Sequence, residues 1–298
     1  MSDSMARLRR KISTASDLQS VVRTMKAMAA SSVEQYERSV LALRDYYHTI
    51  ELGLSASFRT NHVANAVIPN ASDTESKGIS AIVFGSDQGL VGQFNDVIAD
   101  YTIETLSAFP GSQSVWAVGE RVHGRLAESG LPLQGLFQVP SSAKAIVPLV
   151  GRIQIECFAQ RIKEDSATLH VFHNRPQLGS LYEPIHQRLL PLDMQWQQNL
   201  SQIPWPTKKL PEVLGSDQVS LQALIHEYLF ISLFSACAES LASENSSRLA
   251  AMQRADKNID ELLAALQTNF HRQRQGSIDE ELFDVVSGFE ALHLRVSD

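Results

Sequence analysis

The sequence predicts an α/β domain carried between two long terminal helices that pair with each other as an antiparallel coiled coil. Three observations lead there. Both ends run for dozens of residues almost without proline or glycine, both repeat apolar residues at steps of 3 and 4, and the middle alternates strand-like with helix-like segments.

The first helix is expected from Ser4 to Leu52, a stretch with no proline and no glycine. Its apolar or small residues fall at Leu8, Ile12, Ala15, Leu18, Val22, Met25, Ala29, Val33, Tyr36, Val40, Leu43 and Tyr47. Their mean spacing is close to the 3.5-residue repeat of a coiled-coil seam, and a helix of this extent is about 70 Å long. No compact core needs that length.

The C-terminal helix is expected after Pro211 and Gly215, running to Leu294 and interrupted only by Gly276 and Gly288. Its stripe includes Leu224, Tyr228, Ile231, Phe234, Ala238, Leu241, Leu249, Met252, Ile259, Leu262, Leu266, Phe270, Ile278, Leu282, Val285 and Phe289. At about 110 Å it exceeds the first helix, so one tip is expected to overhang. Asn245, Gln267 and Gln273 lie in or beside the stripe, which makes the seam less apolar than a permanent zipper.

Between the ends, strands are expected at 79–86, 114–118, 133–140 and 167–174, with helices at 96–109, 120–130 and 143–164. This alternation implies a mostly parallel sheet covered by helices. The stretch 181–192 reads as an edge strand, where its prolines fit, and Gln195 to Gly215 as a proline-containing connector. The domain division read here is 1–55 for the N-terminal helix, 56–215 for the α/β domain with its connector, and 216–298 for the C-terminal helix.

Composition narrows the function. A formal net charge of −7 argues against general affinity for nucleic acid or anionic lipid, although residues 1–33 carry six cations against Asp3 and Asp17. Cys157 and Cys237 are the only cysteines and form no CxxC pair, which fits a reducing compartment. The N-terminus has no apolar signal core, and no run of about 18 apolar residues is read as a membrane span.

The segment IVFGSDQGLVGQFND at 82–96 poses the main chemical question, because a glycine loop after a strand can cradle phosphates. Its glycines fall at Gly85, Gly89 and Gly92, which is not the G-x-G-x-x-G spacing of a dinucleotide loop. A Walker A loop is excluded as well, since no lysine occurs between Lys77 and Lys144. Glu104 stands near where a ribose-binding acid would be expected, but reads as a solvated helix residue, and Asp87 reads as a turn residue. His170 and His173 are three apart in a strand and point to opposite faces, which is wrong for a shared metal. Ser86 in GSDQG is not a nucleophile elbow. The residues predict no catalytic, cofactor or metal site. A nucleotide-dependent oxidoreductase with helical arms and a coiled-coil scaffold or tether with an α/β head stand as rivals.

The motifs now converge, because the chain resembles the gamma subunit of F-type ATP synthases over essentially its whole length. LRRKISTASDLQSVVRTMKAMAASS is similar to that family's opening, GSDQGLVGQFN to its Ser-Asp-x-Gly-Leu-x-Gly loop, and ASENSSRLAAMQRADKNIDELL with RQRQGSIDEELFDVVSG to its C-terminal patterns. The resemblance implies a rotor shaft in the cavity of an α3β3 hexamer, with the epsilon subunit and the c-ring as further partners and ATP chemistry on the β subunits. It implies a peripheral place on the cytoplasmic face of a bacterial inner membrane, and a glycine loop that binds no nucleotide. It also assigns β-subunit contacts to Arg23 and Met25 near the middle of the shaft, Arg248 on the C-terminal helix, and the polar cluster Arg274, Gln275, Asp279 and Glu281.

Overall fold

The computed structural model describes residues 2–60, 78–109, 111–163, 168–177, 180–192, 194–209 and 217–296. The part of the connector at 210–216, with Pro211 and Gly215, lies outside the described residues. In chain order the elements are α1 (Ser2–Thr60), β1 (Ile79–Phe84), α2 (Phe94–Ser107), β2 (Gln113–Val118), α3 (Glu120–Glu128), β3 (Leu133–Phe137), α4 (Ala143–Lys163), β4 (Thr168–Gln177), β5 (Ser180–Leu190), α5 (Met194–Ser201) and α6 (Asp217–Val296). Two compact units result, one made of Met1–Met28 with Leu249–Asp298, the other of Ala29–Arg248.

The larger unit is built on a five-stranded sheet of order β3-β2-β1-β4-β5. The first four strands pair in parallel, and β5 runs antiparallel to β4 at the edge. That edge position accommodates Pro184, which has no N–H to give to a second neighbour. All six residues of β1 are buried, as a strand covered on both faces must be.

Alternation along β1 divides two cores. Ile79, Ala81 and Val83 face Ile98, Ala99 and Leu106 of α2 and Val122 and Leu126 of α3. Ile82 and Phe84 face the other way, in a cluster with Ile146, Leu149 and Ile153 of α4, Leu54 of α1, and Leu229, Ile231 and Leu233 of α6. The final part of α1 and the first part of α6 are therefore core elements of the α/β unit as well as partners of each other. Tyr46 donates to Glu227 at 2.9 Å, and the rings of Tyr47 and Tyr228 lie 5.7 Å apart. Rising residue numbers in α1 meet falling numbers in α6, which is the antiparallel pairing.

Two expectations need correction. The connector contains the short helix α5, held by Leu200 in the core and by Trp196, whose indole N–H donates to the Tyr228 hydroxyl at 3.1 Å. Within Gln218–Ser287 of α6 there is also a stretch long and apolar enough to cross a membrane by length and composition, contrary to the reading that none exists. Of that stretch 56% is buried inside the fold. A helix packed against both a sheet and another helix has to be apolar on most sides.

His170 and His173 lie on opposite faces of β4, as their spacing requires. His173 is buried and shares a 2.8 Å hydrogen bond with Glu239 of α6, to which Arg175 also donates at 3.0 Å. Burial favours the neutral imidazole at His173, while His173 and Arg175 outweigh burial at Glu239 and keep it ionised. His170 is buried beside Phe109 and stacks on His186 of β5 with centroids 4.8 Å apart. Burial, then His186 and Arg188, push its imidazole down from 6.5 to about 4.

A base with a depressed folded pKa is neutral in the fold and takes its proton on unfolding. The stability it contributes is present above pH 6.5 and is lost as pH falls through 6.5 toward 4. The full loss is about 3 kcal/mol. Thermal unfolding followed from pH 7.5 to 4.5 is expected to show a falling Tm, with a shallower fall in His170→Phe. An equally steep fall in that variant would assign the effect elsewhere.

Candidate functional site

The glycine loop between β1 and α2 uses its polar groups internally. Asn95 accepts from the Ser86 N–H at 2.9 Å and donates to the Ser86 hydroxyl at 2.8 Å. The two carboxylate oxygens of Asp87 accept from the backbone N–H groups of Glu120 at 3.0 Å and Val139 at 2.9 Å. One side chain thus caps the start of α3 and holds the segment after β3. A Cβ at Gly85 would lie 2.4 Å from Val122, and one at Gly119, where φ is +116°, would lie 2.7 Å from the Ser86 nitrogen. The glycines permit close packing of the strand ends, and the N–H groups of Gly85 and Ser86 are engaged by Val118 and Asn95.

The smaller unit is a two-helix pair, residues of α1 up to Met28 against residues of α6 from Leu249. Ser4 donates to Gln273 at 3.1 Å, and the Arg9 guanidinium lies 5.4 Å from the centre of the Phe270 ring. Val22, Met252 and Ile259 form a small buried cluster, with Met25, Ala251, Ala255 and Leu263 packed against it. Seam residues on α1 follow the 3.5 repeat strictly: Ala15, Gln19 and Val22 are buried, and Met25 and Lys26 are half-buried. Gln19 therefore takes the place expected for Leu18, which is 53% exposed. On α6, Leu263 packs at the seam and Leu262 is 51% exposed, reversing that expectation too.

Polar residues in this seam are tied across it. Asp256 receives Lys26 at 2.6 Å and Arg23 at 3.1 Å, and Arg23 also reaches Asp260 at 3.5 Å. Gln19 donates to Asp260 and, at 3.5 Å, to Asp256. The Lys26 hydrogen bond, joined by that of Arg23, holds the Asp256 carboxyl below its ordinary range. In the sequence, the gap between Met252 and Ile259 in the α6 stripe marks Asp256, whereas Gln19 and Lys26 stand beside Leu18 and Met25, which fill the α1 stripe.

The residues expected to meet β subunits fall in separate places. Arg23 is half-exposed but bonded to Asp256, and Met25 packs on the Val22 cluster. Arg248 belongs to the larger unit; its side chain is 12% exposed and engages Glu244 of the same helix at 2.6 Å. Burial raises the Glu244 carboxyl against the pull of Arg248, and raises the neighbouring Tyr36 hydroxyl to about 12. Arg274, Gln275, Asp279 and Glu281 are all exposed on α6. From Arg23's partner Asp256 to Arg274 is about 27 Å along the helix at 1.5 Å per residue. Glu281 lines a groove with Ser4, Met5, Arg9, Gln273 and Asp284.

Past the level of Ser4, α6 keeps apolar residues in the open. Ile278, Leu282, Phe283 and Val285 are between 52% and 72% exposed. Four large apolar side chains are thus exposed within about two turns, a grouping of the kind that a partner covers.

A family model described as ATP synthase matches residues 4–292. Relatives along nearly the full chain are named ATP synthase gamma chain, among them one from Salinibacter ruber, 27% identical and covering 96% of this chain and 97% of its own. Another, from Cyanothece, is 26% identical and covers 96% and 98%. Among solved structures, a chain of Euglena gracilis mitochondrial ATP synthase (OSCP/F1/c-ring, rotational state 3) matches with TM-score 0.66 at 14% identity, over 98% of this chain and 96% of its own. A chain of the Tetrahymena thermophila central stalk and c-ring matches with TM-score 0.55 at 19% identity, over 79% of this chain and 99% of its own. With the paired terminal helices, this match along nearly the whole chain means that the chain belongs to the ATP synthase family, as a gamma-chain member.

Proposed function

We propose that this chain is the central rotor shaft of an F-type ATP synthase, coupling ATP synthesis or hydrolysis on an α3β3 hexamer to rotation of a membrane c-ring and to ion transport. The observation that carries the reading is the antiparallel helix pair whose longer member carries exposed apolar residues at Ile278, Leu282, Phe283 and Val285, in a chain of this family. Catalysis resides on the β subunits, and the shaft supplies no catalytic residue, cofactor or metal ligand.

Its action is mechanical and thermodynamic. An asymmetric shaft presents a different face to each of three chemically identical catalytic subunits, and only such differential contact shifts their open and closed states. Of the seven contact residues, the exposed set Arg274, Gln275, Asp279 and Glu281 is available to a β loop. Arg23 and Arg248 act through the carboxylates they hold, so their effect on β is indirect. Individual exposed ion pairs contribute about 0–1 kcal/mol each, which makes the 274–281 set a collective surface. The α/β unit then carries the foot contacts with the epsilon subunit and the c-ring. In the cell this places the chain peripherally on the cytoplasmic face of a bacterial inner membrane.

Affinity purification of the tagged chain from detergent-solubilised membranes tests the reading. Recovery with α and β subunits in equal amounts, a c-ring and ATP hydrolysis is expected. A self-associated chain without ATPase would instead support the scaffold reading.

A further inference from the structure

Asp256 sits at a seam position of α6, where the 3.5 repeat places it between Met252 and Ile259, and its side chain is 13% exposed. Three donors from α1 converge on it: Lys26 at 2.6 Å, Arg23 at 3.1 Å and Gln19 at 3.5 Å. One turn on, Asp260 takes Gln19 and Arg23 as well. Around this polar layer the seam is thin, with Val22, Met252 and Ile259 the buried apolar residues and Ala15, Ala251 and Ala255 adding little volume.

Within this unit a seam of small apolar residues specifies alignment only weakly, because one heptad resembles the next. Charged residues are not tolerant. Moving α6 by one heptad displaces Asp256 by about 10 Å. In either direction Arg23 and Lys26 would then face Leu249 or Leu263, while Asp256 would face 16–19 or 30–33, neither of which contains a cation. Each slipped state strands a partly desolvated charge, which is how a polar seam residue fixes register at some cost in stability.

From this convergence we infer that Asp256, with Lys26, Arg23 and Gln19, is the register clamp of the helix pair: positioning residues that hold α1 and α6 in the single alignment through which the shaft transmits torque. The register part stands on the geometry alone, and the torque part rests on the rotor function proposed above.

The test uses the full chain with cysteine pairs that report alignment. Ser4→Cys with Gln273→Cys reads the native register, since those side chains meet at 3.1 Å, and Ser4→Cys with Glu280→Cys reads a slide of one heptad. In the otherwise unaltered chain only the first pair is expected to cross-link. With Asp256→Leu and Lys26→Leu, which keep the seam filled, helicity is expected to be retained while the shifted cross-link rises about tenfold. Asp256→Asn should give an intermediate rise, and high salt should raise the shifted cross-link only in chains that retain the clamp. An unchanged cross-linking pattern in the double leucine variant would overturn the clamp. The same variants assembled with α3β3 separate the two claims: slipped register with lost coupling supports both, and slipped register with normal coupling removes the torque role. A chain that never assembles with α3β3 even when unaltered contradicts the rotor reading and leaves the cross-linking result standing.

Discussion

A chain ending before Ser277 is expected to lose most of its coupling while its sheet stays folded. The removed residues include Ile278, Leu282, Phe283 and Val285, all exposed, together with Asp279 and Glu281. They belong to the smaller unit, so the buried clusters around β1 are untouched. Removing an exposed apolar patch costs the isolated chain little, whereas an assembly that covers the patch loses both apolar burial and the asymmetry that distinguishes three sites. ATP-driven ion pumping in the reconstituted complex is expected to fall about tenfold or more, the range that loss of a typical coupling free energy gives. Unaltered pumping by the shortened chain would mean that the overhang is not part of the transmission.

The second large effect is expected at the glycine loop. At Gly119 the backbone is at φ +116° and an added Cβ would meet the Ser86 backbone at 2.7 Å; at Gly85 it would meet Val122 at 2.4 Å. Neither neighbour is the free end of a flexible chain. Gly119→Ala combines a conformation that side chains rarely adopt with a backbone clash, and is expected to destabilise the α/β unit by about 3 kcal/mol or more. Gly89→Ala is the matched control, since its Cβ would touch only the Arg121 guanidinium at 3.6 Å. Denaturant unfolding of the three proteins decides the role of the loop. A large loss at Gly119 and Gly85 with little at Gly89 identifies a packing device; equal stability with altered nucleotide affinity would restore the phosphate reading.

Much of this fold was legible because its signals are local. The alternation of buried strands and amphipathic helices located all five strands within a few residues, and Pro184 identified the edge strand before its antiparallel pairing was known. The helix α5 was hidden because eight residues carry little periodicity and its sequence stands among tryptophans and prolines. The seam was misread by one residue at Leu18, where the apolar side chain was preferred to the geometrically correct Gln19, and at Leu262, where two adjacent leucines left the position ambiguous. Gln19 and Lys26 occupy the seam because Asp256 and Asp260 satisfy them there, and that pairing joins residues more than 200 positions apart. The same long-range bonding takes up Arg23, while Arg248 is held by Glu244 one turn away on α6. The resemblance implies β contacts for both, and their guanidinium groups are also engaged by carboxylates of the same chain. Arg274, Gln275, Asp279 and Glu281 are exposed on α6.

The central claim is that this chain turns inside an ATPase hexamer. The most direct measurement fixes the α and β subunits of the purified complex to a surface, attaches a probe to the α/β unit of this chain, and follows it as ATP is added. Stepwise rotation in one direction, halting when ATP is withdrawn, is the predicted result; a probe that remains fixed, or wanders without direction while ATP is hydrolysed, would contradict it.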